Sequence, residues 1–313
     1  MPYNSLISRT DAQAMIPEDI AGEIIQGIPK QSAVLSLFRR ATMATAQQRM
    51  PVLAALPVAY FVNGDTGLKQ TTEMAWSNKF LNAEEIACIV PIPENVLDDA
   101  AFDMWGEIKP RIEEAIARSL DAAIFFGVDK PASWPTDVAA GSVAAGNVIA
   151  RGTTSAAAGG ISGDINTLMS LVEEDGFDIN GFVTSRRFRR HIRGARATDG
   201  QKLLDISLNT LEGEPIAYAP GDVFPTGVNA AELFAGDWSQ FVIAVRKDIT
   251  YKLLTEAVIQ DATGAIIFNL AQQDMVALRV TFRAAYQVAN SINREQAVEA
   301  SRFPAGVLRS PAV

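Results

Sequence analysis

The longest helical pattern in the chain covers residues 96–127, VLDDAAFDMWGEIKPRIEEAIARSLDAAIFFG, and it limits the possible folds more than any other segment. An aliphatic residue recurs at every fourth position, which places one apolar stripe along a helix: Ile108, Ile112, Ile116, Leu120 and Ile124. Charged residues fill much of the remainder, and we assign them to the solvent side: Glu113, Glu114, Arg118 and Asp121. The segment predicts a long amphipathic helix that braces a fold, with no residue placed for chemistry.

The ends of this helix depend on a proline and a glycine. Pro110 either occupies the first helical position or kinks a longer helix that begins near Ala100. Phe102 and Trp105 continue the apolar face backwards, which favours the longer, kinked helix. Gly127 follows the last apolar turn and can adopt the left-handed conformation that ends helices.

Residue counts exclude several function classes. Cys88 is the only cysteine and His191 the only histidine among 313 residues. Such a chain cannot form an internal disulfide, and it does not suit the usual zinc sites or a Ser-His-Asp or Cys-His mechanism. The apolar neighbours of Cys88 predict a buried thiol in a strand. We therefore expect no catalytic residue, no metal site and no cofactor.

Charge and hydropathy narrow the possible partners. The formal net charge of −9 argues against a protein that grips nucleic acid over its whole surface, but it is compatible with a container that holds DNA inside. No apolar run approaches the roughly 18 residues that span a bilayer, and the N-terminal sequence lacks the pattern of a secretory signal. The apolar content of 48% indicates a globular chain of one large domain or two ordinary ones.

A projecting hairpin is predicted in residues 49–93, where two apolar, β-prone runs flank NGDTG at 63–67. The second run, Leu68 to Ile92, is far longer than a typical strand of about five or six residues. A two-stranded hairpin alone is marginal in water, so we expect a neighbouring subunit to support it. The apolar residues expected to make that contact are Tyr60, Phe61, Met74 and Trp76.

The other segments mix helices with short strands, which indicates an α+β protein. Helices are predicted at 18–26, 164–175 and 185–197, with Ser185 as the N-cap of the last, and strands at 181–185, 213–220, within 232–256 and at 274–289. Residues 132–164 are rich in Ala, Gly and Ser and predict a flexible connector at a domain boundary. The tail SRFPAGVLRSPAV is predicted to be loosely held.

Arginines crowd the helix predicted at 185–197: Arg186, Arg187, Arg189, Arg190, Arg193 and Arg196. Phe188, Ile192 and Ala195 form its apolar stripe, so most of the arginines should point outward. One interpretation is contact with nucleic acid, and the other is ion pairing across a subunit boundary. Because the chain is acidic overall, we favour the boundary and assign contacts to Arg186, Arg189, Arg190 and Arg193.

These segments, in this order, resemble the tailed-phage major capsid proteins of the Hong Kong ninety-seven type over most of the chain. IPENVLDDAAFDMWGEIKPRIEEAIARSLDAAIFFG resembles the spine helix and the strand end before it. FDINGFVTSRRFRRHIRGARATDGQKLL is similar to the family's strand, helix and turn, and LEGEPIAYAP to its "l.G.PV" segment. LFAGDWSQFVIAVRKDITYKL is similar to the Gly-Asp-aromatic motif that leads into the peripheral strands.

The resemblance implies the domain organisation of that fold. It implies an N-terminal arm (1–35), a peripheral domain (36–48 and 83–160) with a spine helix at about 100–126, and an extended hairpin called the E-loop (49–82). An axial domain (161–241), peripheral strands that return to it (242–290) and a C-terminal tail (291–313) complete the chain.

The resemblance also implies a structural function without enzymatic activity. The protein would assemble with itself into pentamers and hexamers of an icosahedral shell around double-stranded DNA, bound without sequence specificity. Because no removable segment precedes the arm, we expect a separate scaffold protein, together with a portal protein and a possible decoration protein. The expected location is the virion, with assembly in the host cytoplasm and no membrane contact. The alternative is an encapsulin-like nanocompartment shell around protein cargo.

Two further expectations concern the E-loop. Fivefold and sixfold rings require bending, which we place at the NGDTG tip (Gly64 and Gly67), in the arm and in the 136–163 connector. One branch of the family joins an E-loop lysine to a peripheral asparagine. Lys69 or Lys79 with Asn269 are conceivable counterparts, although no motif fixes them.

Overall fold

The computed structural model describes residues 32–62, 67–99, 104–195, 210–220, 222–261 and 263–312. Within these residues the helices are α1 (Ala33–Leu37), α2 (Glu94–Asp98), α3 (Met104–Phe126), α4 (Val138–Ala145), α5 (Ile161–Glu174) and α6 (Arg189–Gly194). The strands are β1 (Arg39–Thr42), β2 (Gln47–Ala55), β3 (Ala75–Asn82), β4 (Glu84–Pro93), β5 (Val148–Ala150), β6 (Gly181–Ser185), β7 (Thr210–Leu211), β8 (Glu214–Ala219), β9 (Ala231–Gly236), β10 (Phe241–Leu254), β11 (Val258–Gln260), β12 (Ile266–Asn269), β13 (Met275–Val288) and β14 (Ala305–Arg309). The predicted helix at 18–26 lies outside the described residues.

The predicted long helix is confirmed from Met104 to Phe126 as α3, which continues through Pro110; its predicted start near Ala100 lies outside the described residues. Its apolar stripe is buried at Ile112, Ile116, Leu120 and Ile124. Gly127 ends the helix with a φ of +68°, and its N–H donates to the carbonyl of Ala123 at 3.1 Å. The assignment of Asp121 to the solvent side is wrong, because this side chain is completely buried.

A four-stranded sheet in the order β1-β10-β13-β4 lies against α3. Its strand β10 pairs in parallel with β1 and antiparallel with β13, and β13 pairs antiparallel with β4. The single long second hairpin arm, Leu68 to Ile92, is wrong as a prediction. The strand conformation is interrupted at Ala83, so that β3 pairs with β2 in the hairpin and β4 pairs with β13 in this sheet. Cys88 lies in β4 as predicted, but it is only half-buried.

The second sheet has six strands in the order β5-β14-β9-β6-β8-β7. Side chains alternate between its two faces because successive residues of a strand point to opposite sides. Val183, Phe234 and Val307 join the apolar cluster that contains α3. The adjacent residues Phe182, Leu233 and Leu308 join a second cluster with α5 and α6. This sheet is therefore buried on both faces.

The prediction of a loosely held C-terminal tail is wrong. Strand β14 lies between β5 and β9, and both Val307 and Leu308 are fully buried. The ring of Phe303 packs so closely on α4 that a Cβ at Gly141 would lie 2.5 Å from it. The short segment is ordered by these long-range contacts, which local sequence patterns do not reveal.

The prediction of a flexible connector at 132–164 is also wrong over much of its length. Asp137 caps α4 by accepting the N–H of Ala140 at 3.0 Å. Ser142 is completely buried in this helix, and Ile149 in β5 is 8% exposed. The small residues of this segment allow close packing on β14 rather than free movement.

An aromatic cluster joins the two sheets into one core. The ring of Phe38 lies 5.1 Å from that of Phe241, 5.6 Å from Trp238 and 5.9 Å from Phe125. Phe125 in turn stacks on Phe234 of the six-stranded sheet at 5.4 Å. These offset and edge contacts are favourable arrangements for aromatic pairs. They fix α3 between the two sheets.

Candidate assembly surfaces

The predicted hairpin is confirmed at its base, where β2 and β3 pair antiparallel from Gln47↔Asn82 to Ala55↔Ala75. We call residues 47–82 the E-loop ribbon. A small cluster anchors its base, in which Leu81 and Met43 are buried against the four-stranded sheet. Beyond Ala55 the described backbone at 56–62 and 67–74 forms no strand.

The outer part of the E-loop ribbon exposes a run of large apolar side chains. Phe61 is fully exposed, Leu68 is 89% exposed, and Trp76 is 64% exposed. Tyr60 and Met74 are exposed as well, at 42% and 45%. Apolar exposure on this scale, concentrated on one projecting element, is typical of a contact surface. All four apolar residues predicted to make contacts are therefore available to another molecule.

Contacts within the chain set the direction in which the ribbon leaves the body. Lys79 donates to the carboxylate of Glu299 at 2.8 Å and to the carbonyl of Val288 at 3.1 Å. Gln287 donates to the carbonyl of Phe80 at 2.9 Å. The segment that leads to β14 thus clamps the ribbon at its base and, through Arg294, donates to the carbonyl of Pro57 at 2.7 Å, while the large apolar side chains farther out stay exposed.

Within the described residues, the lysines and the asparagine of the conceivable crosslink have different surroundings. Lys79 is occupied by its ion pair with Glu299, whereas Lys69 is exposed near the ribbon end. Asn269 donates its amide to Gln272 at 2.8 Å at the end of β12. Gly64 lies outside the described residues, and Gly67 lies in irregular backbone. The crosslink and the hinge stay predictions.

The arginine-rich helix is shorter than predicted. A 3₁₀ turn at 186–188 precedes α6, which ends at Gly194. Ser185 precedes the turn, but its side chain makes no capping hydrogen bond, so the predicted N-cap is wrong in this respect. The predicted apolar stripe of Phe188, Ile192 and Ala195 is buried as expected.

The four arginines assigned to contacts have different surroundings. The guanidinium of Arg189 lies over the ring of Tyr218, 5.1 Å from its centroid. Arg190 donates its Nε–H to Nε2 of His191 at 3.0 Å. Arg186 and Arg193 are exposed on the same segment. They do not form one uniform charged face.

His191 lies on α6, where its side chain is half-buried. Burial lowers its pKa, and the positive charges of Arg151 and Arg190 lower it further against the opposing effect of Glu232. The imidazole is therefore neutral at pH 7 and accepts the hydrogen bond from Arg190. Among the described residues no group of three metal-ligating side chains comes together. No helix within the described ranges is long and apolar enough to cross a membrane.

Asp121 is a functional candidate that the sequence reading missed. Its carboxylate accepts hydrogen bonds from the Ser32 hydroxyl at 2.5 Å and from the N–H groups of Ala33 and Val34 at 2.9 and 3.3 Å. It thereby holds α1 on α3. The signal in the sequence was that the residues one turn away on each side, Ala117 and Phe125, are apolar, which places Asp121 on the same face as two residues that are buried.

We expect the stability of the protein to depend on pH through Asp121. Burial raises its pKa from 3.8 to about 6, against hydrogen bonds from Ser32, Ala33 and Val34 that lower it. The folded state therefore holds this proton more tightly than the unfolded state. This contribution to stability is complete below pH 4 and is lost as pH rises through about 6, by an amount on the order of 3 kcal/mol.

Urea unfolding between pH 4 and pH 7 measures this effect. The Asp121→Asn variant should lack this part of the pH dependence, so its stability relative to the wild type should rise across the window. Asp98→Asn, which changes an exposed carboxylate, should keep the wild-type profile. Identical pH slopes for wild type and Asp121→Asn would show that the buried carboxyl does not titrate there.

The architecture, with a spine helix between two sheets and a projecting ribbon, is the capsid fold of the Hong Kong ninety-seven type. The chain belongs to the phage capsid family, whose model matches residues 12–293.

Several known proteins similar to this chain come from phages. The major capsid protein of Staphylococcus phage 80alpha is 24% identical over 272 residues, which are 85% of this chain and 79% of that protein. A solved structure from Microbacterium phage Oxtober96 is 39% identical, with a TM-score of 0.85 over 98% of this chain and 100% of that chain. A structure from Mycobacterium phage Bobi is 31% identical, with a TM-score of 0.85 over 99% of this chain and 100% of that chain.

Proposed function

We infer that this chain is the major capsid protein of a tailed phage, a structural protein that builds the shell of the virion. The supporting observation is the match to phage structures over nearly the whole of both chains. The nanocompartment alternative is not favoured, because the family and the similar proteins reported above are those of phages.

The ribbon gives this function a physical basis. Its apolar end is exposed in the single chain, and burial of a large aromatic side chain contributes a few kcal/mol at most. The same gain recurs at every subunit of a closed shell. In our proposal Tyr60, Phe61, Met74 and Trp76 contact a neighbouring subunit, and the subunits form pentamers and hexamers.

Further partners follow from a shell of this kind. We propose that it encloses double-stranded DNA without sequence specificity, that a separate scaffold protein and a portal protein take part in assembly in the host cytoplasm, and that a decoration protein can bind outside. The role is structural and includes no catalytic step. If Lys69 or Lys79 joined Asn269, a denaturing gel would show a ladder of covalent oligomers, whereas we expect a single band.

Light scattering and nuclease treatment of purified particles test the function. We expect assemblies of uniform size in the megadalton range, and DNA that resists nuclease until the shell is opened. Protein cargo without nucleic acid would support the nanocompartment instead. A protein that stays monomeric under all assembly conditions would overturn the shell assignment.

Reversing charge on the arginine-rich helix should block assembly. Arg186 and Arg193 are exposed, and one exposed ion pair contributes only about 0–1 kcal/mol, but a ring repeats the contact. We expect Arg186→Glu with Arg193→Glu to leave the subunit folded while shells fail to form. The matched variant with lysine at both positions keeps the charge and should assemble. Normal shells from the glutamate variant would refute a boundary role for these two arginines.

A further inference from the structure

A small polar cavity lies beside α6 and is not explained by the fold. Its volume is about 250 Å³, and it lies between the 3₁₀ turn before α6, the end of β5 and the loop that leads into β9. The charged and polar residues that line it are Arg151, Ser185, Arg187, Arg190, His191, Thr226, Glu232 and Ser310.

The cavity carries an excess of positive charge. Arg151 is neutralised by Glu232, to which it donates two hydrogen bonds of 2.7 and 3.3 Å. Arg190 donates only its Nε–H, to the neutral ring of His191. Within the described part of the chain, neither Arg187 nor Arg190 has a carboxylate partner. Arg187 and Arg190 therefore both line this cavity without a carboxylate partner, although Arg187 also borders a second cavity that Glu114 and Asp222 line.

Planar guanidinium groups bind oxyanions through paired N–H donors, and such charge-assisted hydrogen bonds are about twice as strong as neutral ones. Burial is the main cause of the lowered pKa of His191; the charges of Arg151 and Arg190 lower this pKa further, while Glu232 raises it. The chemistry of the walls therefore selects an anion that is small enough for this volume.

We propose that this cavity receives the carboxylate of an acidic side chain from a second copy of this chain, held between Arg187 and Arg190. The role of that contact in a shell rests on the proposed function, whereas the capacity to bind a carboxylate does not. The chain has 36 acidic and 27 basic residues, so a neighbouring copy offers carboxylates in excess. A side chain can enter a cavity of this size, but the phosphates of a DNA duplex are fixed to a stiff rod with a persistence length of about 50 nm.

Acetate titration of the unassembled subunit tests the binding chemistry. The chain has a single histidine, so the NMR signal of the His191 ring reports on the cavity without ambiguity. At constant ionic strength acetate should shift this signal saturably and raise the pKa of His191, because a nearby anion favours the charged imidazole. Arg187→Gln with Arg190→Gln should weaken acetate binding about tenfold or more.

Arg186→Gln is the matched control, because Arg186 lies on the same turn but does not line the cavity. It should leave acetate binding unchanged. If the control lost acetate binding equally, or if the shift of the His191 signal never saturated, His191 would be reporting only the overall charge of the surface. Either result would overturn the site.

Labelling with phenylglyoxal, followed by mass spectrometry, identifies the occupant in particles. Arg187 and Arg190 should react in the unassembled subunit and be protected in shells without DNA. Protection only in DNA-filled shells would assign the site to nucleic-acid phosphate and overturn a second copy as the occupant, as would reactivity in both kinds of shell. If no shells form, the proposed function fails, while the acetate titration still decides whether the site exists.

Discussion

Replacing residues 56–74 by a short Gly/Ser turn is expected to give a folded subunit that forms no shells. The replacement leaves the pairing of β2 and β3 and the clamp at Lys79 intact, so the body should unfold at the wild-type temperature. It removes Phe61, Leu68 and Met74, exposed side chains that have no partner to bury them in the single chain, and it keeps Trp76 in β3. Light scattering under assembly conditions measures the loss.

A smaller change locates the effect within the ribbon. Phe61→Ser with Trp76→Ser removes two exposed aromatic rings and should weaken assembly strongly without changing subunit stability. Val128→Ser, which removes an exposed apolar side chain outside the ribbon, is the control and should assemble. Shells of wild-type yield from the 56–74 replacement would contradict a role for the ribbon in subunit contacts.

Truncating Leu308 should have the largest effect on the stability of the subunit. Leu308 is fully buried in β14, between the strands β5 and β9, and contributes to the cluster under α5 and α6. Leu308→Ala should lower the free energy of unfolding by about 2–5 kcal/mol, through lost burial and a cavity. Removing residues 303–313 should prevent the six-stranded sheet from forming.

Denaturant unfolding measures this loss, with removal of residues 311–313 as the control. Pro311 and Ala312 are exposed, so their removal should change stability by no more than about 0.5 kcal/mol. If the Leu308→Ala variant were as stable as the control, β14 would not be part of the cooperative core.

The parts of the fold that the sequence predicted are those with a regular apolar pattern. The spacing of Ile112, Ile116 and Leu120 was sufficient for α3, and the long apolar run of β13 was sufficient for a strand. In contrast, β14 is a short segment between prolines, and it becomes a strand only by pairing with β5 and β9 far away in sequence. Local patterns do not contain such long-range contacts.

Composition misled the prediction at the 132–164 connector. Alanine and glycine suggested flexibility, but the small size of Gly141 is what lets Phe303 pack on α4. Asp121 was misplaced for a related reason. A carboxylate is normally on the surface, and only the distant Ser32 and the start of α1 supply the donors that make its burial possible.

The assembly surfaces were predicted in kind but not in detail. Exposure of the ribbon followed from its apolar residues, which a two-stranded element cannot bury internally. The arginine-rich helix was also predicted from the sequence. The sequence does not show, however, which of its arginines share the same surroundings. Arg189 lies over Tyr218, whereas Arg187, which was left out of the predicted contacts, faces the same cavity as Arg190.

Hydrogen exchange of the ribbon in the unassembled subunit and in shells tests most directly whether this chain builds a shell through the E-loop. The backbone at 56–62 and 67–74 forms no strand, so most of its amides should exchange rapidly in the subunit, except that of Val58, which donates to the Thr72 hydroxyl at 2.8 Å. After assembly, a neighbouring subunit should cover this segment and slow the exchange, while α3 stays protected in both states. Protection of 56–62 and 67–74 already in the subunit, with no change on assembly, would contradict the account.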